Sequence, residues 1–336
     1  MNLGEELPSS SRSAAIRWLS NEYHEHNGSS YAVLQSPPTA LEFSRLVHVS
    51  RPVLIKGYPL PALERWSDSY LIDAMDGKEF SVAVTPDGRA DGITPGLDGK
   101  RYFVEPHVEK MAMPTFLSHL AQGSETSLDS GIRYLQSQNG NLYSSTEDDS
   151  EFDVLRKDVP RDVPWCTEAL DRSPDAVNLW IGDSRSVTSI HSDPYENIYT
   201  VVRGAKHFTL LPPTEGWCLQ ERSYPHAQYT RDNPDSSLSL APSPPSVPNV
   251  RWSSISNPHL PGNLPPEAHP IYITVNAGET LYLPKGWWHH VRQAPDITIA
   301  VNWWYDVESS GMDWVLLRFL RGPEEVAEWD AEEGSV

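Results

Sequence analysis

The feature that most restricts the fold is a dense succession of short strand-like runs with turn residues between them. Val177-Asn-Leu-Trp-Ile181 gives way to a Gly-Asp turn, followed by runs at 187–191 and 197–202. Arg203-Gly204-Ala205 then turns the chain into Lys206-His-Phe-Thr-Leu-Leu211, which Pro212-Pro213 ends. Runs of β-branched and aromatic residues bounded by Gly, Asp and Pro read as antiparallel strands and hairpins. Strands return at 271–275, 279–283 and 297–301. There is no βαβ alternation and no repeat of 20–50 residues. The pattern therefore predicts a mainly β fold, a sandwich or barrel wrapped by helices from both ends of the chain.

The flanks supply those helices. Residues 11–25 have Ile16, Leu19 and Tyr23 at helical spacing, with Ser11 or Ser13 as cap. A second amphipathic piece covers 40–47. Pro52-Val-Leu-Ile-Lys56 and Phe80-Ser-Val-Ala-Val-Thr85 read as strands. Thr115 is placed to cap a helix through Leu120, and Ile132-Arg-Tyr-Leu-Gln136 is again strand-like. The acidic stretch 144–162 reads as an exposed connection with a short helix. Residues 232–270 contain ten prolines, which central strands do not accept, so this segment reads as a surface insertion, partly disordered or clamped on the barrel. Within it, the isolated Trp252 and Ile255 suggest that the second half packs on something. Residues 312–320 form an amphipathic helix whose apolar face needs a partner, either the barrel itself or a second copy in a homodimer. The expected organisation is an N-terminal helical segment 1–46, a catalytic domain 47–307 and a C-terminal helix with acidic tail 308–336.

Several function classes are excluded by composition. The two cysteines, Cys166 and Cys218, form no C-x-x-C, which removes a cysteine zinc cluster and makes a disulfide framework improbable. No apolar run approaches the roughly 20 residues that span a bilayer, and the N-terminus lacks a signal-peptide core. A cytoplasmic or nuclear protein, neither secreted nor in a membrane, is the expectation. Acids exceed bases by 46 − 26 = 20, which disfavours nucleic acid and suits a basic protein or peptide partner. The same charge also serves solubility.

Chemistry concentrates at His191-Ser-Asp193. In a strand, residues i and i+2 share a face, so imidazole and carboxylate project together. Alone this pair is a weak signal. Pro284-Lys-Gly-Trp-Trp-His-His290 follows another strand-like run and supplies a second imidazole, from His289 or His290; spacing allows either, but extended backbone points them to opposite sides. Two imidazoles and a carboxylate form the facial triad of non-haem Fe(II) oxygenases, which leaves positions open for a co-substrate and O2. The bidentate 2-oxoacid used by such enzymes needs partners for its distal carboxylate. Lys206 offers a point charge, while Thr188, Asn197 and Tyr134 offer hydrogen bonds. Gly182-Asp-Ser-Arg-Ser186 is no nucleophile elbow, since its last position is Ser. His107, His207 and His259 read as structural or exposed; Asp91 and Glu105 read as solvated loop acids, with contact to a cationic substrate as the alternative.

With these motifs in order, the chain resembles the JmjC-domain (cupin-like) 2-oxoglutarate oxygenases, and within them the small lysyl hydroxylases. The carrying segments are Thr188-Ser-Ile-His-Ser-Asp193, Tyr195-Glu-Asn-Ile-Tyr199, Gly204-Ala-Lys-His-Phe208, Leu281-Tyr-Leu-Pro-Lys-Gly-Trp-Trp-His289 and Ala300-Val-Asn-Trp-Trp-Tyr305. Arg51-Pro-Val-Leu-Ile-Lys-Gly57, Val84-Thr-Pro-Asp-Gly-Arg-Ala-Asp91 and Tyr134-Leu-Gln136 extend the likeness over about 40–320. The resemblance implies a double-stranded β-helix (jelly-roll) barrel, with Fe(II) on His191, Asp193 and His289. It further implies 2-oxoglutarate against Tyr134, Thr188, Asn197, Lys206 and Asn302, with Trp304 close by. The implied reaction consumes O2, releases succinate and CO2, and hydroxylates a lysyl side chain of a protein such as a GTPase. Alternatives within the family are another residue, a modified tRNA base or N-methyl-lysine demethylation; outside it, a metal-binding scaffold without turnover. The Pro/Ser-rich insertion is longer than the family pattern.

Overall fold

The computed structural model describes residues 9–122, 131–136, 140–144, 150–233, 236–308 and 310–322. Two helices, α1 (Ser9–Asn27) and α2 (Ala40–Val49), precede the first barrel strand, β1 (Val53–Lys56). The barrel then runs β2 (Ala176–Gly182), β3 (Val187–Ser192), β4 (Tyr195–Arg203), β5 (Ala205–Leu211), β6 (Ile271–Asn276), β7 (Glu279–Leu283), β8 (Trp288–Gln293) and β9 (Thr298–Asp306). A last helix, α3 (Gly311–Arg321), follows.

These strands form two facing sheets. One has the order β1-β7-β4-β9-β2, extended at its edges by Ala32–Leu34 and Tyr143–Ser144; the other has β6-β5-β8-β3, extended by Arg89–Ala90. Successive strands from β2 to β5 alternate between the sheets, and every pair among the nine is antiparallel. That is the double-stranded β-helix expected from the motifs.

Side-chain alternation explains the layering. In β6, Ile271, Ile273 and Val275 point inward while Tyr272 and Thr274 face water. By contrast β4 and β9 are buried on both faces. Tyr199, Val201, Ala300 and Trp304 fill the barrel, while Ile198, Val202, Val301 and Trp303 join a second core under the helices. Trp303 is fully buried, edge-on to Tyr58 at 6.1 Å, and its indole N–H donates to the Pro160 carbonyl at 3.0 Å. Truncating such a side chain to alanine costs about 3–5 kcal/mol.

Local details depart from the sequence expectations where tertiary contacts intervene. The first helix starts by Ser9, so Ser11 and Ser13 lie inside it. The second runs two residues further, to Val49, and is capped by Thr39: its hydroxyl accepts from Glu42 N–H, while the Glu42 carboxylate accepts from Thr39 N–H. Thr115 caps nothing; that helix spans Met113–Ala121 with Ala112 as its uncapped N-cap and Pro114 in its first turn. In the acidic stretch, Phe152, Leu155 and Val159 are buried rather than exposed, although 145–149 lie outside the described residues. Asp158 is the reason the polar sequence can enter the core. Its carboxylate accepts from Arg65 at 2.7 Å, Trp66 at 3.1 Å and Tyr70 at 2.6 Å.

The Pro/Ser-rich segment clamps on the barrel. Ser239–Pro242 pairs as an edge with His226–Thr230, and Val250–Ser253 pairs with Glu221–Tyr224. Of the C-terminal helix, Leu320 is buried, whereas Met312, Val315 and Leu316 stay exposed. The acidic tail 323–336 lies outside the described residues. Among the described residues, no helix is long and apolar enough to cross a membrane.

Candidate metal centre

Strands β3 and β8 pair so that His191 and His289 are direct register partners, with ring centroids 4.2 Å apart. Asp193 lies just past β3, where its carbonyl accepts from Gly286 N–H at 2.8 Å. Its Oδ2 is 3.6 Å from Nε2 of both histidines, and one ligand atom from each residue lies within 4.8 Å of the others. Each imidazole is oriented through its other nitrogen: His191 Nδ1 meets the Ser189 carbonyl at 2.8 Å and His289 Nδ1 the Trp287 carbonyl at 3.0 Å. With Nδ1–H donating, Nε2 carries the free lone pair that a metal ligand requires.

Electrostatics suit a cation. Burial alone would raise the Asp193 carboxyl, but His191, a hydrogen bond to it and His289 bring it down to about 2. Burial and the neighbouring His191 lower His289 to about 4, leaving it neutral. Burial also opposes charge on His191, yet Asp193 outweighs it and the imidazole titrates above its ordinary range. A metal ion would displace that proton.

His290 points away. Its Nδ1 meets the Thr188 carbonyl at 2.8 Å, and its ring stacks on His259 at 5.2 Å. The structure thus brings together His191, Asp193 and His289, and gives His290 a separate place.

Thr188 and His191 are three apart, so a regular strand would face them oppositely. A register shift between them in β3 turns both into one cleft. Tyr134, Asn197, Asn302 and Trp304 line the same cleft. Lys206 stands behind it, fully buried rather than solvated, with its ammonium donating to Tyr134 Oη at 3.2 Å. Among the described residues no carboxylate pairs with it, and burial lowers it to about 7. Asn302 donates to Asn197 at 3.0 Å and accepts from the Trp180 indole at 2.7 Å. Trp304 stacks on Tyr195 at 5.1 Å. The free space in this cleft is about 30 Å³, and Thr188, His191 and Asp193 also line the adjoining larger cavity.

Sequence reasoning missed three neighbours. Trp252 lies parallel to the His191 ring at 5.9 Å, within the segment read as an insertion; an aromatic isolated among Pro and Ser was its only signal. Trp180 was read as an ordinary strand residue. Asp91, read as a solvated loop acid, instead helps to line a cavity of about 310 Å³ that also contains His191 and Asp193. A further cavity of about 490 Å³ lies between α3 and the barrel and shares Asp193, Trp288 and Arg321 with it.

Residues 38–311 match the model of the cupin-like domain. The chain is 40% identical over 290 residues to lysine-specific demethylase JMJ32 of Arabidopsis thaliana, covering 81% of each chain. It is 35% identical over 310 residues to JmjC domain-containing protein E of Dictyostelium discoideum, covering 84% of this chain and 86% of that one. With the human bifunctional peptidase and (3S)-lysyl hydroxylase JMJD7 it shares 36% identity over 289 residues, 82% of this chain and 84% of the relative. A strand-paired His-Asp-His centre in a double-stranded β-helix, matched along most of the chain, makes this protein a JmjC-type member of the cupin-like domain family.

Proposed function

We propose that the protein is an Fe(II)- and 2-oxoglutarate-dependent oxygenase that hydroxylates a lysyl side chain of a protein substrate. One observation carries the reading: three convergent metal ligands stand beside a buried lysine for which the described residues provide no carboxylate. His191 and His289 would bind iron through Nε2 and Asp193 through its carboxylate. Iron with 2-oxoglutarate and O2 supplies the oxidising power, placing one oxygen in the substrate C–H bond and the other in succinate as CO2 leaves.

The chain's own contribution is position and polarity. Lys206 would neutralise the distal carboxylate of the diacid, a match that turns a costly buried cation into a paired one. Thr188, Tyr134, Asn197 and Asn302 would hydrogen-bond the diacid, and Trp304 would wall it from water. His191 and His289 keep their Nδ1 protons on backbone carbonyls, so both remain aimed while substrate enters.

Lysine as target is supported by the relatives, whose names include lysyl hydroxylation and lysine demethylation, and by a net charge of −20 that suits a basic protein. Incubating the protein with Fe(II), 2-oxoglutarate and lysyl peptides, including GTPase segments, should add 16 Da to lysine in the active protein and nothing in His191→Ala. Demethylation is the second reading, favoured by the 40% identity to a named demethylase. Loss of 14 Da from methyl-lysyl peptides with formaldehyde release, and no gain on unmodified ones, would select it.

A further inference from the structure

The 310 Å³ cavity beside His191 contains three carboxylates, and two of them are accounted for. Asp193 belongs to the metal centre. Glu221 is held by Arg251 at 2.7 Å and by Arg321 at 3.2 Å, which also neutralises the Arg321 guanidinium on the cavity wall. Asp91 has no hydrogen bond or ion pair to another described residue. It follows Arg89–Ala90, the edge strand paired in parallel with β3, so the backbone that carries His191 also fixes Asp91. Its φ of +56° is left-handed, a conformation that Asp tolerates better than most residues, and it turns the chain at the end of that strand. Nearby Glu105 is engaged elsewhere, 3.5 Å from His226.

The wall around Asp91 is aromatic. Trp252 and Phe103 meet at 4.8 Å, and Trp252 lies parallel to the His191 ring. The rings touch one another and so form one continuous apolar wall; a stem lying along that wall, and a cation at its end, gain from both the ring faces and a desolvated carboxylate. Burial raises the Asp91 carboxyl to about 6 against the opposing pull of His191, with Glu105 adding to the rise.

We propose that Asp91 is the specificity-determining residue of this site, receiving the ammonium of the target lysine while Trp252 and Phe103 form the wall along its alkyl stem. This rests on the lysyl reading above and adds the group that reads the charge. Arginine-rich α3, on the far side of the adjoining cavity, is left to the rest of the substrate.

The test uses the full chain with Mn(II) and 2-oxoglutarate, and n-butylammonium and n-butanol as probes, with affinities from ligand-observed NMR. The wild-type protein should prefer the ammonium by about tenfold or more, the range of a charge-assisted bond in a desolvated site. Asp91→Asn should bring the ratio close to one, and Asp91→Glu should retain a preference. Because each ratio is taken within one protein, loss of iron or of folded material does not imitate the effect. Equal affinity of the wild-type protein for both probes overturns the proposal, as does an unchanged ratio in Asp91→Asn. If the ammonium preference holds while no lysyl peptide gains oxygen or loses methyl, Asp91 stands and the lysyl reaction falls.

Discussion

Replacing Lys206 by methionine should make the protein more stable and unable to respond to 2-oxoglutarate. Lys206 is fully buried, and burial lowers its pKa from 10.5 to about 7. At about 1.4 kcal/mol per unit, the charged form is disfavoured by about 5 kcal/mol, and near pH 7, with half the population neutral, the cost is about 4 kcal/mol. Methionine has similar length and no charge, but it leaves the Tyr134 hydroxyl without its donor, which takes back about 1 kcal/mol. The net gain is about 3 kcal/mol, a rise of roughly 5 °C in Tm for a chain of this length. The folded-state pKa lies below the unfolded one, so the wild-type penalty is complete below pH 7 and disappears as pH rises through 10.5. Thermal unfolding between pH 7 and 10 should therefore show the two proteins converging. With Mn(II) present, 2-oxoglutarate should raise the wild-type Tm and leave Lys206→Met where Mn(II) alone put it. A variant less stable than wild type at pH 7, or a gap that does not narrow with pH, refutes the buried-cation argument; a variant that still responds to 2-oxoglutarate refutes the assignment of Lys206 to the diacid.

Four other substitutions separate the site from its scaffold. His289→Ala should weaken Mn(II) binding by at least about 100-fold, while His290→Ala, which loses the bond to the Thr188 carbonyl, should stay within about tenfold and cost about 2 kcal/mol of stability; titration calorimetry and urea unfolding measure the two. Asp158→Ala strands three buried or half-buried donors and should cost about 3 kcal/mol at pH 7. Burial alone would raise the Asp158 carboxyl, but Tyr70, Arg65 and Trp66 hold it below its ordinary value, so its contribution is present above pH 4 and lost as pH falls through the lowered pKa; unfolding of the variant should depend less on pH in that acid range. Gly204→Ala places a methyl group 2.5 Å from Thr298 Oγ1 at a φ of +72°, and should cost about 2 kcal/mol in urea unfolding.

The barrel was legible because its strands carry their own punctuation: Gly204 marks the β4–β5 hairpin, and Pro212 ends β5. The metal centre was half legible. His191 and Asp193 follow from strand parity, but the choice between His289 and His290 depends on cross-strand register, which no local pattern encodes. Thr188 shows the limit of periodicity, because only a bulge brings an odd-spaced residue to the face of His191. Polar residues were misjudged where a distant partner or an enclosed cavity made burial tolerable. Asp158 meets Arg65, Trp66 and Tyr70 from about 90 residues away, and Asp91 was read chiefly as a solvated acid for want of that information.

The rung that joins His191 to His289 also bears on how the protein would acquire a metal ion. The two residues are 289 − 191 = 98 positions apart, so their lone pairs converge only after a long loop has closed and β8 has found its place between β3 and β5. No shorter segment of the chain contains both imidazoles, so their convergence carries the closure cost of that whole loop, and the expected order is barrel first and ion second. A metal ion would then enter a barrel that is already built and act as a latch: it should leave the folding rate nearly untouched and slow the opening of β3 from β8.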